Sequence, residues 1–386
     1  MDKFGHIRFV SVSQIETLPV QPMRDRLHRY VQLETPSGGA DALDALLDLL
    51  EPRYAELGAR TERHPSATGA NLVAHFPGTG DKQHDRPVLC LGHHDTVWPA
   101  GTLDGPVPWL EQDGRIHGPG VYDMKGGLVV FETAVELLAQ RGSAHRPITM
   151  ILVADEEVGS PSARELVAEH CRDAVAALGF EPPHPDGAVK TSRWGSTRVR
   201  LRVTGRESHA ALAPEDGASA IEELIDQLLV VRRIAAEHPA MLCNVGTISG
   251  GGRTNVVPGE AWCEIGMRFT DTATENSALA ALQRLTPVRP GTTVSADILT
   301  SRPVWTEPES TDLTDVLTRA ARAVGQQVAG RPAAGAADTN LTGSLGVPSL
   351  DGLGPVGRGA HAPDEQIIAA TLPERAALTA SLLARL

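Results

Sequence analysis

The sequence predicts an α/β protein: one domain with a mostly parallel sheet flanked by helices, and a second, antiparallel α+β domain inserted into it. Three observations carry this. Between residues 71 and 180, short apolar strands alternate with helices, a rhythm that builds a parallel sheet covered on both faces. From about Arg193, Thr197, Val199, Leu201 and Val203 alternate strictly with Arg198, Arg200, Arg202 and Thr204, as in a strand with one wet face. At Ser301-Arg302-Pro303 the texture of the first half returns. The first domain is therefore expected at 1–192 and 303–386, interrupted by 193–302; a chain of 386 residues is long enough for two domains.

Taken in order, residues 22–34 read as a helix. Leu43, Leu46, Leu47, Leu50 and Tyr54 recur at helical spacing in a second helix over 40–57. Glu34-Thr35-Pro36-Ser37-Gly38-Gly39 between them has turn chemistry. The first strands are expected at 71–76 and 87–92. A helix beginning at Asp123, a strand over 148–154, a helix near 162–170 and a strand over 174–180 follow. In the insert, Ala261, Cys263, Ile265, Met267 and Phe269 repeat the alternation opposite Trp262, Glu264 and Arg268. Helices near 218–237 and 273–286 and a strand near 293–299 complete it. A helix near 313–324, a strand near 348–350 and a terminal helix from Leu372 close the chain.

The formal net charge of -13 argues against nucleic acid or an anionic membrane as partner, because phosphates meet a repulsive average field. Cys90, Cys171, Cys243 and Cys263 have neither paired nor metal-type spacing and read as buried free thiols of a reducing compartment. Met1 to Val20 has no signal-peptide core, and no apolar run is long enough to span a bilayer, so a cytoplasmic protein is expected.

The chemistry gathers around the strand Val88-Leu89-Cys90-Leu91, which runs into Gly92-His93-His94-Asp95. Alternation puts His93 and Asp95 on one face, where Asp95 is placed to hold the second ring nitrogen of a metal-ligating His93. Gly118-Pro119-Gly120-Val121-Tyr122-Asp123 puts an acid at the mouth of a helix; Asp123 reads either as the N-cap or as a carboxylate bridging two metal ions. Glu156 and Glu157 follow the apolar strand 148–153, and Glu181 ends the next one, at the edge where open α/β sheets bind ligands. His361 lies in a glycine-rich loop. These imidazoles and carboxylates, with no cysteine among them, suit zinc, cobalt or manganese in a hydrolase.

In these motifs, together with Ser208-His209-Ala210, the sequence resembles the M20 metallopeptidase family from about Glu34 to the end. Carboxypeptidase G2-type enzymes, aminoacylases and succinyl-diaminopimelate desuccinylases are the relatives it suggests. The resemblance implies a zinc-dependent exopeptidase type of fold whose inserted domain is a lid and dimerisation domain. It implies two Zn2+, with Co2+ or Mn2+ as substitutes: Asp123 bridges them, His93 and Glu181 hold one, and Glu157 and His361 hold the other. It makes Glu156 the general base for a metal-bridged hydroxide and Asp95 the partner of His93. A cis Asp123-Met124 bond is also implied.

From the inserted domain, the resemblance implies that His209 stabilises the oxyanion and that Asn255 and Arg268 bind substrate. Arg268 can grip a carboxylate through two parallel hydrogen bonds. The expected reaction is cleavage of the amide bond of a C-terminal amino acid, glutamate among the candidates, from a small peptide or N-acyl amino acid. An aminoacylase or desuccinylase of one metabolite, and a non-catalytic binding protein on the same fold, are the alternatives. Gly266 stands where the family usually has Asp, and Ala336-Ala337-Asp338 replaces its Gly-Gly-Thr-Asp element. A homodimer through the inserted domain is expected.

Overall fold

A computed structural model describes residues 18–306 and 312–386, so the leader reading of residues 1–17 lies outside the described residues. The chain divides into two compact units. The first holds the described residues up to Ser192 together with 312–333 and 337–386, and the second holds 193–306 and 334–336.

The first unit is built on a mixed sheet of β1 (Arg60–His64), β2 (Asn71–Phe76), β3 (Val88–His93), β6 (Ile148–Val153), β7 (Ala176–Gly179) and β14 (Ser349–Leu350). Their order is β1-β2-β6-β3-β7-β14. The four strands β6, β3, β7 and β14 run parallel, while β1 and β2 pair antiparallel at one side. Both faces are covered, as the apolar runs predict. Leu72, Cys90, Met150 and Leu178 face α1 (Val20–Gln32), α2 (Ala40–Glu56), α3 (Gly126–Arg141), α7 (Asp312–Ala323) and α9 (Thr371–Leu383) in one core. The alternate residues Val73, Leu89, Ile151 and Ala177 form a second core with Val167 and Cys171 of α4 (Arg164–Cys171), and Leu341 of α8 (Thr339–Ser344) packs on it.

Two small sheets complete the unit. One orders β15 (Gly357–Arg358), β16 (Gln366–Ile368), β5 (Arg115–His117) and β4 (Leu110–Gln112); the other pairs β8 (Val189–Arg193) with β13 (Gly330–Ala333). The expected helix start at Asp123 is corrected. Asp123 (φ -120, ψ 93) and Met124 are non-helical within a wide turn over Val121–Lys125, and α3 begins at Gly126. Asp123 is therefore not an N-cap. β1 was not expected as a strand because its sequence, Arg-Thr-Glu-Arg-His, is that of a polar sheet edge.

The second unit is one antiparallel sheet, β10 (Met241–Gly250), β11 (Glu260–Phe269), β9 (Gly195–Thr204) and β12 (Thr293–Arg302), in the order β10-β11-β9-β12. Val199, Leu201, Val203, Cys263, Ile265, Met267 and Phe269 pack against α5 (Ala220–Glu237) and α6 (Thr272–Gln283). On the other face Arg200 pairs with Glu264 and lies over Trp262, and Arg202 pairs with Asp297. The unit runs beyond the expected boundary to Thr306, because Arg193 and Trp305 exchange backbone hydrogen bonds (3.0 and 3.1 Å) and Val304 joins its core.

Candidate metal centre

Three adjacent parallel strands end at one edge of the first unit's sheet, and each delivers acidic or imidazole side chains there. Leaving β3 are His93 and Asp95, leaving β6 are Glu156 and Glu157, and leaving β7 is Glu181. This carboxyl-terminal edge is where open α/β sheets place ligands. Asp123 and His361 come from loops of the small sheet. The loop with Asp123 leaves β5 and the loop with His361 enters β16, and these strands pair with Gln366 opposite His117. The start of α3 is pressed against the end of β7, where a Cβ on Gly127 would clash with the Phe180 carbonyl oxygen.

The two oxygens of Asp123 face different histidines. Oδ1 lies 3.2 Å from His93 Nε2, and Oδ2 lies 3.3 Å from His361 Nε2. His93 Nε2 is also 3.6 Å from Glu181 Oε1, and His361 Nε2 is 3.0 Å from Glu157 Oε2. The result is two half-sites, His93 with Glu181 and His361 with Glu157, sharing one carboxylate. A carboxylate oxygen of Glu156 lies within 4.8 Å of the donor atoms of His93 and Glu181, close enough for the three to share an ion. The Asp123-Met124 peptide bond is cis.

The electrostatics follow from this crowding. Burial opposes a charged His93, but the Asp123 and Asp95 carboxylates outweigh it and hold the imidazole well above its ordinary value. Burial also opposes ionised Asp123, yet His361 and His93 together drive its carboxyl far below the usual range. Hydrogen bonding to Asp123 and Glu157 lifts His361 to about 10. Glu181 moves the other way: burial, then the neighbouring charge of Asp123, raises it well above the carboxylate range.

Asp95 does more than orient His93. His93 Nδ1 lies 2.9 Å from the Asp95 carbonyl oxygen and 3.3 Å from its Oδ1. The same carboxylate accepts the backbone N–H of Glu156 (3.1 Å) and of Glu157 (3.2 Å) and the Ser37 hydroxyl (2.7 Å). Sequence reasoning did not single out Ser37, Trp98 or Glu365. Glu365 is buried beneath Asp123, and its burial, opposed by backbone hydrogen bonds, pushes its carboxyl up to about 7. The only sequence signal was an acid shortly after His361. Tyr122 ties the Asp123 turn to the Glu181 loop, its hydroxyl donating to the Pro183 carbonyl at 3.1 Å. Asp338 accepts a hydrogen bond from Ser160.

The remaining predicted residues lie in the second unit. His209 is exposed, and its Nδ1 accepts from the backbone N–H of Ala211 (3.2 Å) and Leu212 (3.1 Å). Nε2 therefore carries the proton in the neutral ring. The Asn255 loop runs beside it, with Ala210 N–H donating to the Asn255 carbonyl at 3.0 Å. Arg268 is exposed on the wet face opposite Ser196, and partial burial and the charge of Arg302 lower its pKa.

The donor set fits divalent metal. Among the described residues, Asp123, Glu156, Glu157 and Glu181 face two imidazoles, and Glu157 Oε1 is buried without a hydrogen-bond partner. Such a gathering of carboxylates, half-buried except for the buried Glu156, suits a cation. Oxygen and imidazole donors without thiolate match zinc, cobalt or manganese.

Fold and site together define a metal-dependent hydrolase. The chain belongs to peptidase family M20/M25/M40, whose model matches residues 89–385. Carboxypeptidase G2 of Pseudomonas sp. (strain RS-16) is 28% identical over 367 residues, covering 92% of this chain and 87% of that protein. Succinyl-diaminopimelate desuccinylase of Stutzerimonas stutzeri (strain A1501) is 30% identical over 315 residues, covering 75% of this chain and 80% of that protein. Among solved structures, the M20 family metallo-carboxypeptidase Sso-CP2 from Sulfolobus solfataricus shares the fold at TM-score 0.72 and 16% identity, covering 94% of this chain and 98% of that chain.

Proposed function

We propose that this chain is a two-zinc amidohydrolase that releases a C-terminal amino acid, with glutamate a leading candidate, from a small peptide or N-acyl amino acid. The observation that carries the reading is Asp123, whose two oxygens are directed to His93 and His361 in separate half-sites. His93, Asp123 and Glu181 would hold one ion, and Asp123, Glu157 and His361 the other; Co2+ or Mn2+ could take the place of zinc. Bound there, the ions would supply Lewis-acid activation of a water and of the scissile carbonyl.

The chain's own groups do the rest. A carboxylate oxygen of Glu156 takes the proton of the attacking water and returns it to the leaving nitrogen. Asp95 keeps the His93 ring in place and fixes the turn that carries Glu156. His209 offers Nε2–H to the developing oxyanion, a role its backbone-held Nδ1 supports. Arg268 and Asn255 bind the substrate, Arg268 through its free carboxylate.

The second unit would also form a homodimer. β10 is one edge of its sheet and carries Leu242 and Ile248, each 60% exposed, and Ile225 and Leu229 are exposed on α5. A reducing cytoplasm suits the four unpaired cysteines. The similarity to succinyl-diaminopimelate desuccinylase keeps a second reading in view, an aminoacylase or desuccinylase of one metabolite.

The test is hydrolysis of N-acyl and dipeptidyl amino acids, acyl-glutamates and succinylated diamino acids included, by zinc-loaded wild type and Glu156→Gln. Release of glutamate by wild type alone supports the main reading, and cleavage confined to a succinyl or acyl metabolite supports the second. Two bound metals with no cleavage at all would replace both by a binding protein.

A further inference from the structure

One buried carboxylate joins three of the segments that meet at the centre. Glu365 is 1% exposed and carries four hydrogen bonds. Its Oε1 accepts the backbone N–H of Tyr122 (2.9 Å) and of Asp123 (3.1 Å). Its Oε2 accepts the backbone N–H of Gly120 (3.0 Å) and the indole N–H of Trp98 (2.7 Å). Trp98 lies just beyond His93 and Asp95 on the segment leaving β3. Glu365 is itself fastened to the turn that presents His361, its N–H donating to the Ala362 carbonyl (2.9 Å) while Ala362 N–H donates to Gly359 (2.8 Å). That turn is tight: Gly359 has φ +83, and a Cβ there would meet Glu365 N at 2.8 Å.

We propose that Glu365 is a positioning residue, which sets the Asp123 carboxylate at a fixed place relative to His93 and His361 before metal binds. The fold alone does not require this acid. A turn needing its amides satisfied could use backbone carbonyls or water, whereas one carboxylate that gathers donors from two segments and sits four residues from His361 fixes their relative position. The inference rests on the two-metal reading, so wild-type stoichiometry is measured first.

Two variants probe it. Glu365→Gln keeps the length but turns an N–H2 group toward donors on one side of the site. Glu365→Asp keeps the charge but is too short to reach both the indole and the turn. In zinc titrations by calorimetry, each is expected to bind at least one ion about 10- to 100-fold more weakly than wild type. Their kcat should fall by more than KM changes, and the circular dichroism of the metal-free proteins should match that of wild type. If Glu365→Asp restores wild-type zinc affinity, charge suffices and the inference is overturned.

A measurement on wild type covers the case in which both variants misfold. Amide hydrogen exchange of the chelated protein is expected to show Tyr122 and Asp123 protected by about 100-fold or more before metal is added. Free exchange there, with protection only on zinc binding, would mean that metal rather than Glu365 orders the turn. A wild type that binds no metal would instead sink the two-metal reading and leave this protection result to stand by itself.

Discussion

The carboxylate of Asp95 accepts the backbone N–H of Glu156 at 3.1 Å, so the residue that steadies the His93 imidazole also fixes the turn after β6. One buried group therefore sets both a candidate ligand and the candidate base. Asp95→Asn keeps one acceptor oxygen but points an N–H2 group at the Ser37 hydroxyl, the two amides or His93. We expect zinc affinity to fall about 10- to 100-fold, with kcat falling alongside it. Zinc calorimetry and steady-state rates on the same preparation check this. Unchanged values would mean that the turn is held without Asp95.

Glu156 lies near enough to His93 and Glu181 to be a ligand by distance, so base and ligand roles must be separated. Glu156→Gln, nearly the same shape, should lose about 10²- to 10⁴-fold in kcat while still binding two ions. Loss of one equivalent of metal would make Glu156 a ligand and pass the base role to another group.

Why some of this was legible in the sequence and some was not has a physical answer. Apolar runs such as Ile148–Val153, and the strict alternation of β9 and β11, give away buried strands because burial imposes their period. Glu156 and Glu157 follow Ile148–Val153 directly, and His93 and Glu181 stand at the ends of β3 and β7, so these places followed from the strands. β1 and β10 were missed because little of either is buried: β1 reads Arg-Thr-Glu-Arg-His, and beyond Met241 and the half-buried Cys243 the rest of β10 is exposed. Ser37, Trp98 and Glu365 were missed because each acts through a contact across distant parts of the chain, which no local pattern records. Asp123 was legible as an acid after a Gly-Pro-Gly turn, but its non-helical backbone was not.

Removing metal should destabilise the first unit, because four carboxylates are then left around two imidazoles and Glu157 Oε1 stays unpartnered. In chemical unfolding, chelated wild type is expected to unfold at lower denaturant. Zinc restored at a hundredfold excess over Kd should return about 2.7 kcal/mol per site. Equal stability with and without metal would mean that the cluster is tolerated by the fold as it stands.

Glu223 offers a test of the second unit that is independent of metal. It is buried on α5 and accepts from the Gln227 side chain (2.7 Å) and from the backbone N–H groups of Val288 (2.9 Å) and Arg289 (2.6 Å), tying the helix to the chain that leads into β12. Burial works against its ionised form, but these donors outweigh it and hold the carboxyl below its ordinary value of 4.5. The sign follows from linkage. The unfolded chain takes up the proton first as pH falls, so the stability this group supplies is complete above 4.5 and drains away as pH drops through the lower folded value. Glu223→Gln should therefore cost about 1.5 kcal/mol or more at neutral pH, the scale of hydrogen bonds to a charged acceptor. Urea unfolding of both proteins should show that gap narrowing steadily once the pH is below 4.5. A gap that stays constant into acid would assign the cost to the shape of the side chain rather than to its charge.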